Sequence, residues 1–344
     1  MPTHQPVVIE LIQLLSDRPD LAVALRASVA AAKRPGITQL HDYYAFLDKM
    51  VTLIPVDRTL NRLVNKFFYL VDQSPGGVLK SDATFQRWTH RFCEDWGAFL
   101  DTPESAKDIA GFFPDPAYHV SDYYVAPSGW LTFNQFFARQ VRPGRRPIDG
   151  FGDEVSVVCP ADSVYQGHWT IDTDSKITVK GLTWSVLDLL AGSPFKDRFV
   201  GGVFTHGFLN VNDYHRFHVP VSGIVKEARK ITGRVMMDVI ALPDGSLDAV
   251  DGTGYQFTQD RGLLVLDSPV GLVAVLPIGM AQVSSVTLTA DVGAKLFKGQ
   301  EFGFFMFGGS DIVMLFESGK VLLDASIGTH YNQGRQIGHA IERS

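Results

Sequence analysis

Hydrophobic positions in the first third of the chain recur with a helical period. Leu60, Leu63, Val64, Phe67, Phe68 and Val71 follow the spacing i, i+3, i+4, i+7, i+8, i+11, and Leu40, Tyr43, Tyr44, Leu47, Met50, Val51 and Ile54 form a similar stripe upstream. Each stripe predicts a helix with one face turned to a core. A third helix is expected to begin with Ser81 or Asp82 as its N-cap, to carry Phe85, Trp88, Phe92, Trp96 and Phe99 along one side, and to end by Pro103. Helical spacing alone accounts for these aromatics as the packing of a helical subdomain.

Between 111 and 130 the chain turns loop-like, with Pro114, Pro116 and Pro127, and beyond Pro143 the period shortens towards two. Short apolar or alternating runs then appear at 155–158, 176–179, 203–209, 263–266, 271–276, 282–288, 302–307, 312–316 and 321–324, separated by Gly, Pro, Asp and Ser. One short helix is expected at 185–190. The pattern predicts an α+β protein, with a helical N-terminal domain over 1–115 and a β-rich, mostly antiparallel domain over 116–344. No internal repeat and no low-complexity tract interrupts it.

Composition narrows the function classes. With 344 residues, 45% of them hydrophobic and 24 of them Phe, the chain has ample material for a core. A formal net charge of −6 gives no overall positive field to draw it to nucleic acid or to an anionic bilayer. The most apolar stretch, 262–281, is broken by Asp267, Pro269 and Pro277 and reads as consecutive buried strands rather than a membrane span. The N-terminus has no basic residue before its apolar run and no small-residue cleavage site, so no signal peptide is expected. Two unpatterned cysteines, Cys93 and Cys159, are too few for a disulfide framework or a Cys-based zinc site and suit a reducing compartment. A cytoplasmic protein is expected, with peripheral membrane contact left open. Against the acidic background stand Arg139, Arg142, Arg145 and Arg146, either a solvated basic loop or a surface for an anionic substrate or phospholipid head groups.

Three places could carry chemistry. Cys159-Pro160-Ala161-Asp162-Ser163 puts an Asp after a Pro behind an apolar strand, which by itself is an ordinary turn. In 210–220, His215 and His218 stand three residues apart beside Tyr214 and Arg216, a cluster able to bind metal, to move protons, or simply to pack a turn. Phe307-Gly308-Gly309-Ser310-Asp311 lies between two strand-like runs, where a hairpin turn is the plain reading. The sharper reading uses glycine's permissive backbone: Gly-Ser is the pair an N-to-O acyl shift needs, with the serine attacking the Gly309 carbonyl.

Taken together and in this order, these segments resemble the phosphatidylserine decarboxylase family of pyruvoyl enzymes. The resemblance runs from FNQFFARQVRPGRRPID through CPADS, GFLNVNDYHRFHVPVSG and LPIGMAQVSSV to GAKLFKGQEFGFFMFGGSDIVMLFESG, roughly residues 130–320. The helical N-terminal region is similar to that of a soluble branch of the family that includes pyruvoyl-type tryptophan decarboxylases. Asp311 and Ser163 depart from the pattern, standing where relatives more often have Ser or Thr and Gly, and Asp311 places an extra carboxylate beside the expected cut.

The resemblance implies a self-processing carboxy-lyase. Asp162, His218 and Ser310 become a processing triad, the chain is cut between Gly309 and Ser310, and Ser310 becomes the pyruvoyl cofactor. The two fragments are expected to stay associated. A substrate amine would then join the pyruvoyl ketone as a Schiff base and lose its α-carboxylate as CO2, with His215 mainly serving decarboxylation and His218 both stages. The favoured substrate is a free L-amino acid, aromatic such as tryptophan; phosphatidylserine is the alternative. An unprocessed binding protein, and a metalloenzyme built on His206, His215 and His218, are the rivals from other classes. No metal is expected.

Overall fold

The computed structural model describes residues 4–55, 57–179, 182–249, 257–279, 285–306 and 310–341. Helices come first: α1 (Pro6–Asp17), α2 (Pro19–Ala32), α3 (Leu40–Met50), α4 (Asp57–Asp72), α5 (Val78–Ser81) and α6 (Ala83–Leu100). Of the two candidate caps for the aromatic helix, Asp82 is the one used, its carboxylate accepting from the Thr84 and Phe85 N–H groups at the start of α6. Phe85, Trp88, Phe92 and Trp96 are buried along α6 as their spacing requires, each worth about 2 kcal/mol of apolar burial. Trp88 and Trp96 place their indole N–H groups on the carbonyls of Val7 and Leu53, which ties α6 to α1 and to the segment after α3. Helices α1 and α2 are additions to the sequence reading. Each begins with a proline, Pro6 and Pro19, at a position where a missing N–H costs nothing, and the Ala-rich face of α2 gives little periodic contrast.

Two short helices follow, α7 (Phe133–Phe137) and α8 (Val186–Leu190), the latter capped by the Ser185 hydroxyl. The strands are β1 (Ser156–Val158), β2 (Ser163–Thr170), β3 (Lys176–Val179), β4 (Leu182–Ser185), β5 (Val203–Leu209) and β6 (Arg216–His218). Next come β7 (Gly223–Ile231), β8 (Val239–Ala241), β9 (Leu247–Ala249), β10 (Arg261–Ser268), β11 (Gly271–Gly279) and β12 (Val286–Leu288). The last are β13 (Lys295–Leu296), β14 (Glu301–Phe305), β15 (Ser310–Phe316), β16 (Val321–Leu323), β17 (His330–Tyr331) and β18 (Gln336–Ala340). Among the described residues eight strands form one sheet in the order β13-β7-β10-β11-β15-β5-β2-β17, and two three-stranded sheets, β1-β18-β16 and β12-β14-β6, flank it. All the pairings between named strands are antiparallel. The fold is therefore α+β, helices first and antiparallel sheets after.

The hairpin reading of the Gly-Gly-Ser segment is overturned. Strand β14 pairs with β12 and β6, whereas β15 lies between β11 and β5 at the centre of the large sheet. The segment joining them thus passes from one sheet to another, and residues 307–309 themselves lie outside the described residues. The 282–288 run survives as β12 alone, its first part also lying outside the described residues. Side chains alternate across β15: Ile312, Met314 and Phe316 enter a large cluster that also contains the residues of α1 to α6, while Val313 and Leu315 enter a second cluster with Phe199, Phe204 and Phe257. One apolar core thus joins the helical region to one face of the large sheet.

Candidate active site

Strand β6 and the turn before it bring the two histidines to the β12-β14-β6 sheet. Close approach is needed there: Gly303 on β14 lies under the Phe217 ring, and a Cβ at that position would collide with that ring and with the Thr287 carbonyl. The Asn210 to Asp213 turn is held by the Asp213 carboxylate, which accepts from the Asn210 N–H at 2.7 Å and pairs with His330 at 2.9 Å.

His218 is buried, and its tautomer is fixed. Its Nδ1 lies 2.8 Å from the Gly299 carbonyl, which can only accept, so Nδ1 carries the proton. The lone pair is therefore on Nε2, where the Tyr214 hydroxyl donates at 3.1 Å. Burial pushes this imidazole down to about 4; the Gly299 bond opposes the shift, and the nearby Arg216 charge adds to it. At neutral pH His218 is an uncharged base with an assigned lone pair.

His215 is fully buried and stacked on Phe137, ring centroids 3.9 Å apart. Burial, with the Arg139 charge nearby, lowers it to about 3 against an opposing pull from the Asp213 carboxylate and backbone, and neither ring nitrogen has a hydrogen bond of good geometry among the described residues. Such a group is neutral and poised to satisfy a polar atom that enters the site. The helix that supplies Phe137, α7, was not foreseen in the sequence.

Asp162 is buried at the start of β2, close in backbone terms to His218, whose N–H donates to the Pro160 carbonyl at 2.7 Å. Its carboxylate is taken by Arg146, with Nε 2.9 Å from Oδ1 and Nη2 2.5 Å from Oδ2, and by the Gln333 N–H at 2.8 Å. In this conformation Asp162 and His218 are not bonded to each other. Arg146, bonded to Asp162, has its guanidinium carbon 5.9 Å from the ring centroid of Tyr214, the residue that donates to His218. The basic cluster is thus split: Arg139 and Arg146 are internal, Arg139 donating to the Asn212 and Asp213 carbonyls, while Arg142 and Arg145 are exposed. The solvated-loop reading holds only for the last two.

Ser310 begins β15, in register with Gly279 on β11 and Leu209 on β5. Asp311 is wholly buried and faces His206, 3.1 Å from its Nε2, on the strand face that carries Val313. The extra carboxylate is therefore turned towards the His206 ring rather than left facing apolar side chains alone. Ser163 is buried and turns its hydroxyl back to the Ala161 carbonyl at 3.3 Å, which binds the turn that carries Asp162. His206, His215 and His218 go to separate surroundings, and among the described residues no group of three His, Cys, Asp or Glu side chains assembles to hold a metal ion.

Residues 133–339 match the family model for phosphatidylserine decarboxylase. The chain belongs to the phosphatidylserine decarboxylase family. Members of this family are carboxy-lyases. A phosphatidylserine decarboxylase proenzyme from Fusobacterium nucleatum is 28% identical over 285 residues, covering 82% of this chain and 90% of that protein. Phosphatidylserine decarboxylase proenzyme 2 of rice is 31% identical over 261 residues, 74% of this chain but only 40% of the rice protein. Decarboxylase iboD of Amanita muscaria is 30% identical over 294 residues, 73% of this chain and 82% of the fungal one. The family match covers every residue singled out for chemistry, and it leaves the helical region outside. Tyr214, Gly299 and Phe137, which position the two histidines, were missed by sequence reasoning; only the adjacency of Tyr214 to His215 offered a signal. Among the described residues no helix is long and apolar enough to cross a membrane.

Proposed function

We propose that the chain cuts itself between Gly309 and Ser310, converts Ser310 into a pyruvoyl group, and then removes the α-carboxylate of a free L-amino acid with an aromatic side chain such as tryptophan. The observation that carries the processing step is His218, a neutral buried base whose lone pair is fixed at Nε2. It takes the Ser310 hydroxyl proton as the oxygen attacks the Gly309 carbonyl carbon, and returns it to the Ser310 nitrogen as the C–N bond breaks, leaving an ester. Removal of the Ser310 α-proton then expels the Gly309 carboxylate, and water releases the nitrogen as ammonia. Asp162 supports this step as a positioning residue through Arg146 and the Pro160 turn.

The surrounding residues fit a pyruvoyl group. Ser310 is bracketed by β11 and β5, so backbone pairing on both sides would hold the new chain end, and the unbonded His215 nitrogens are groups that an incoming substrate would satisfy. When formed, the ketone supplies the electron sink for loss of CO2. His215 protonates the α-carbon afterwards, its neutral state being set by burial. An aromatic amino acid is favoured by a pocket of about 380 Å³ lined in part by Tyr124, Trp130 and Phe304. Phosphatidylserine is the second reading, supported by the names of the relatives and by exposed Phe113, Tyr124, Val125 and Leu131 near the pocket.

The test is a denaturing gel with mass spectrometry of the small fragment. Purified protein should give two bands and a fragment beginning with pyruvoyl, and Ser310→Ala or His218→Ala a single band near 37.9 kDa. An active enzyme with an intact 309–310 bond would reject the processing step. CO2 release from tryptophan, tyrosine, phenylalanine and phosphatidylserine vesicles separates the two substrate readings.

A further inference from the structure

The same pocket joins two parts of the chain with different standing. Phe304, Met306, Arg139 and Arg216 on its walls belong to the stretch matched by the family, whereas Asp101, Tyr124 and Trp130 lie before residue 133 and outside it. Asp101 caps the end of α6, and Trp130 is wedged edge-on against Phe113 and Phe136, centroids 5.7 and 5.2 Å away. Two of the family-matched wall residues are close in the chain to the residues of the chemistry. Met306 immediately precedes the 307–309 segment, and Arg216 follows His215 and shares a face of β6 with His218 by strand alternation.

The charges in the pocket set what it can hold. Arg216 is neutralised by Glu301 at 2.7 Å, donates to the Ala138 carbonyl at 2.8 Å, and covers the Phe304 ring at 4.9 Å. Arg139 is buried and committed to the Asn212 and Asp213 carbonyls. Arg216 is thus paired with a carboxylate, and Arg139 is held by backbone carbonyls. Asp101 is exposed, and its Oδ1 accepts from the Asn134 amide at 3.0 Å, so the free-standing charge at this end is an acceptor. The rings of Tyr124, Trp130 and Phe304 and the Asp101 carboxylate line one pocket, a set of groups that complements a planar aromatic side chain carrying a hydrogen-bond donor.

We propose that this pocket is the subsite for the substrate side chain, that Tyr124 and Trp130 pack against its ring, and that Asp101 accepts from an indole N–H or phenol O–H. The specificity of the enzyme then resides in the segment outside the family match. This inference rests on the amino-acid reading above and narrows it to ring-bearing substrates with a donor, so that tryptophan and tyrosine are preferred to phenylalanine.

The experiment uses the processed full-length protein and measures kcat/KM by CO2 release for the three amino acids. Wild type should favour tryptophan or tyrosine over phenylalanine by about tenfold, the worth of one partly exposed hydrogen bond. Asp101→Ala, which removes the acceptor, should shrink that ratio to near unity, and Trp130→Ala should raise KM about tenfold for all three. Tyr124→Ala, at a residue 57% exposed and so outside the core, should do the same without disturbing folding. Completeness of self-cleavage on a gel reports folding of each variant. If the wild type acts on these amino acids and fully cleaved Asp101→Ala and Tyr124→Ala keep its selectivity and KM, this subsite is wrong while the decarboxylase reading stands. If phosphatidylserine vesicles release CO2 and the three amino acids do not, the substrate reading itself falls.

Discussion

Lowering the pH from 7 to 4.5 should destabilise this protein through its two buried imidazoles. His215 and His218 titrate at about 3 and about 4 in the folded chain, against an ordinary 6.5. A folded value below the unfolded one means that the unfolded chain takes up protons the folded chain refuses. The stabilising contribution is therefore intact above 6.5 and is lost as pH falls towards 4 and then 3. At pH 4.5 each histidine costs about 2.5 kcal/mol, and the pair about 5 kcal/mol, against a total stability on the order of 5 to 15 kcal/mol. Asp72 works the other way. Burial raises its carboxyl to about 6, so acidification to 4.5 returns about 2 kcal/mol. A difference between two proteins isolates the effect. In a Ser310→Ala background, which keeps one chain, His215→Phe retains a ring for Phe137 to stack on and removes one titrating group. Urea unfolding from pH 7.5 to 4.5 should show the stability loss reduced by about 2.5 kcal/mol in the His215→Phe protein, since Asp72 and every other group are shared. Equal losses in the two proteins would refute the claim that His215 is held neutral by burial.

Three further outcomes follow from the site. Arg146→Met leaves the Asp162 carboxylate buried with only the Gln333 N–H, and should cost about 3 to 5 kcal/mol by thermal or urea unfolding; a loss below 1 kcal/mol would mean the pair is not desolvated. Tyr214→Phe removes the donor to the His218 lone pair, which favours the protonated ring, so the acid limb of the self-cleavage rate should move up by roughly half to one pH unit in a cell-free time course; a downward move contradicts the assigned tautomer. His215→Ala should still cleave yet release CO2 on the order of 10² to 10⁴ times more slowly, whereas His218→Ala should not cleave at all; the opposite pattern on gel and assay exchanges the two roles.

What the sequence made legible depended on whether a residue's neighbours in space were also its neighbours in the chain. The stripe of α6 and its cap at Asp82 could be read because helical contacts repeat every three or four residues. Strands β3 and β5 coincide with their apolar runs. Strand β7 could not be seen: Lys226, Glu227, Arg229 and Lys230 mask its alternation, although Glu227 is spent on Arg229 and Ser193 within the fold. The pairing of β15 with β11 and β5, rather than with β14, is set by contacts far along the chain that no local run encodes. The same holds for Arg146 and Asp162. Both were conspicuous as residues, one in a basic cluster and the other after Pro160, but a guanidinium buried against a carboxylate is a property of packing and not of spacing.

The placement of β14 and β15 in different sheets has a consequence for assembly. In a chain severed at 309–310, the C-terminal piece would supply β15 to the middle of the large sheet, β17 to its edge against β2, and β16 and β18 to the sheet that holds β1. It is woven into two layers rather than clipped onto one. Such a piece cannot leave or be exchanged unless the central strands separate, so the severed molecule would be a single kinetic unit with no route for swapping a spent fragment for a fresh one. Separately produced fragments would have to fold together from the unfolded state to build the site, and maturation would be a once-only event in the life of each molecule.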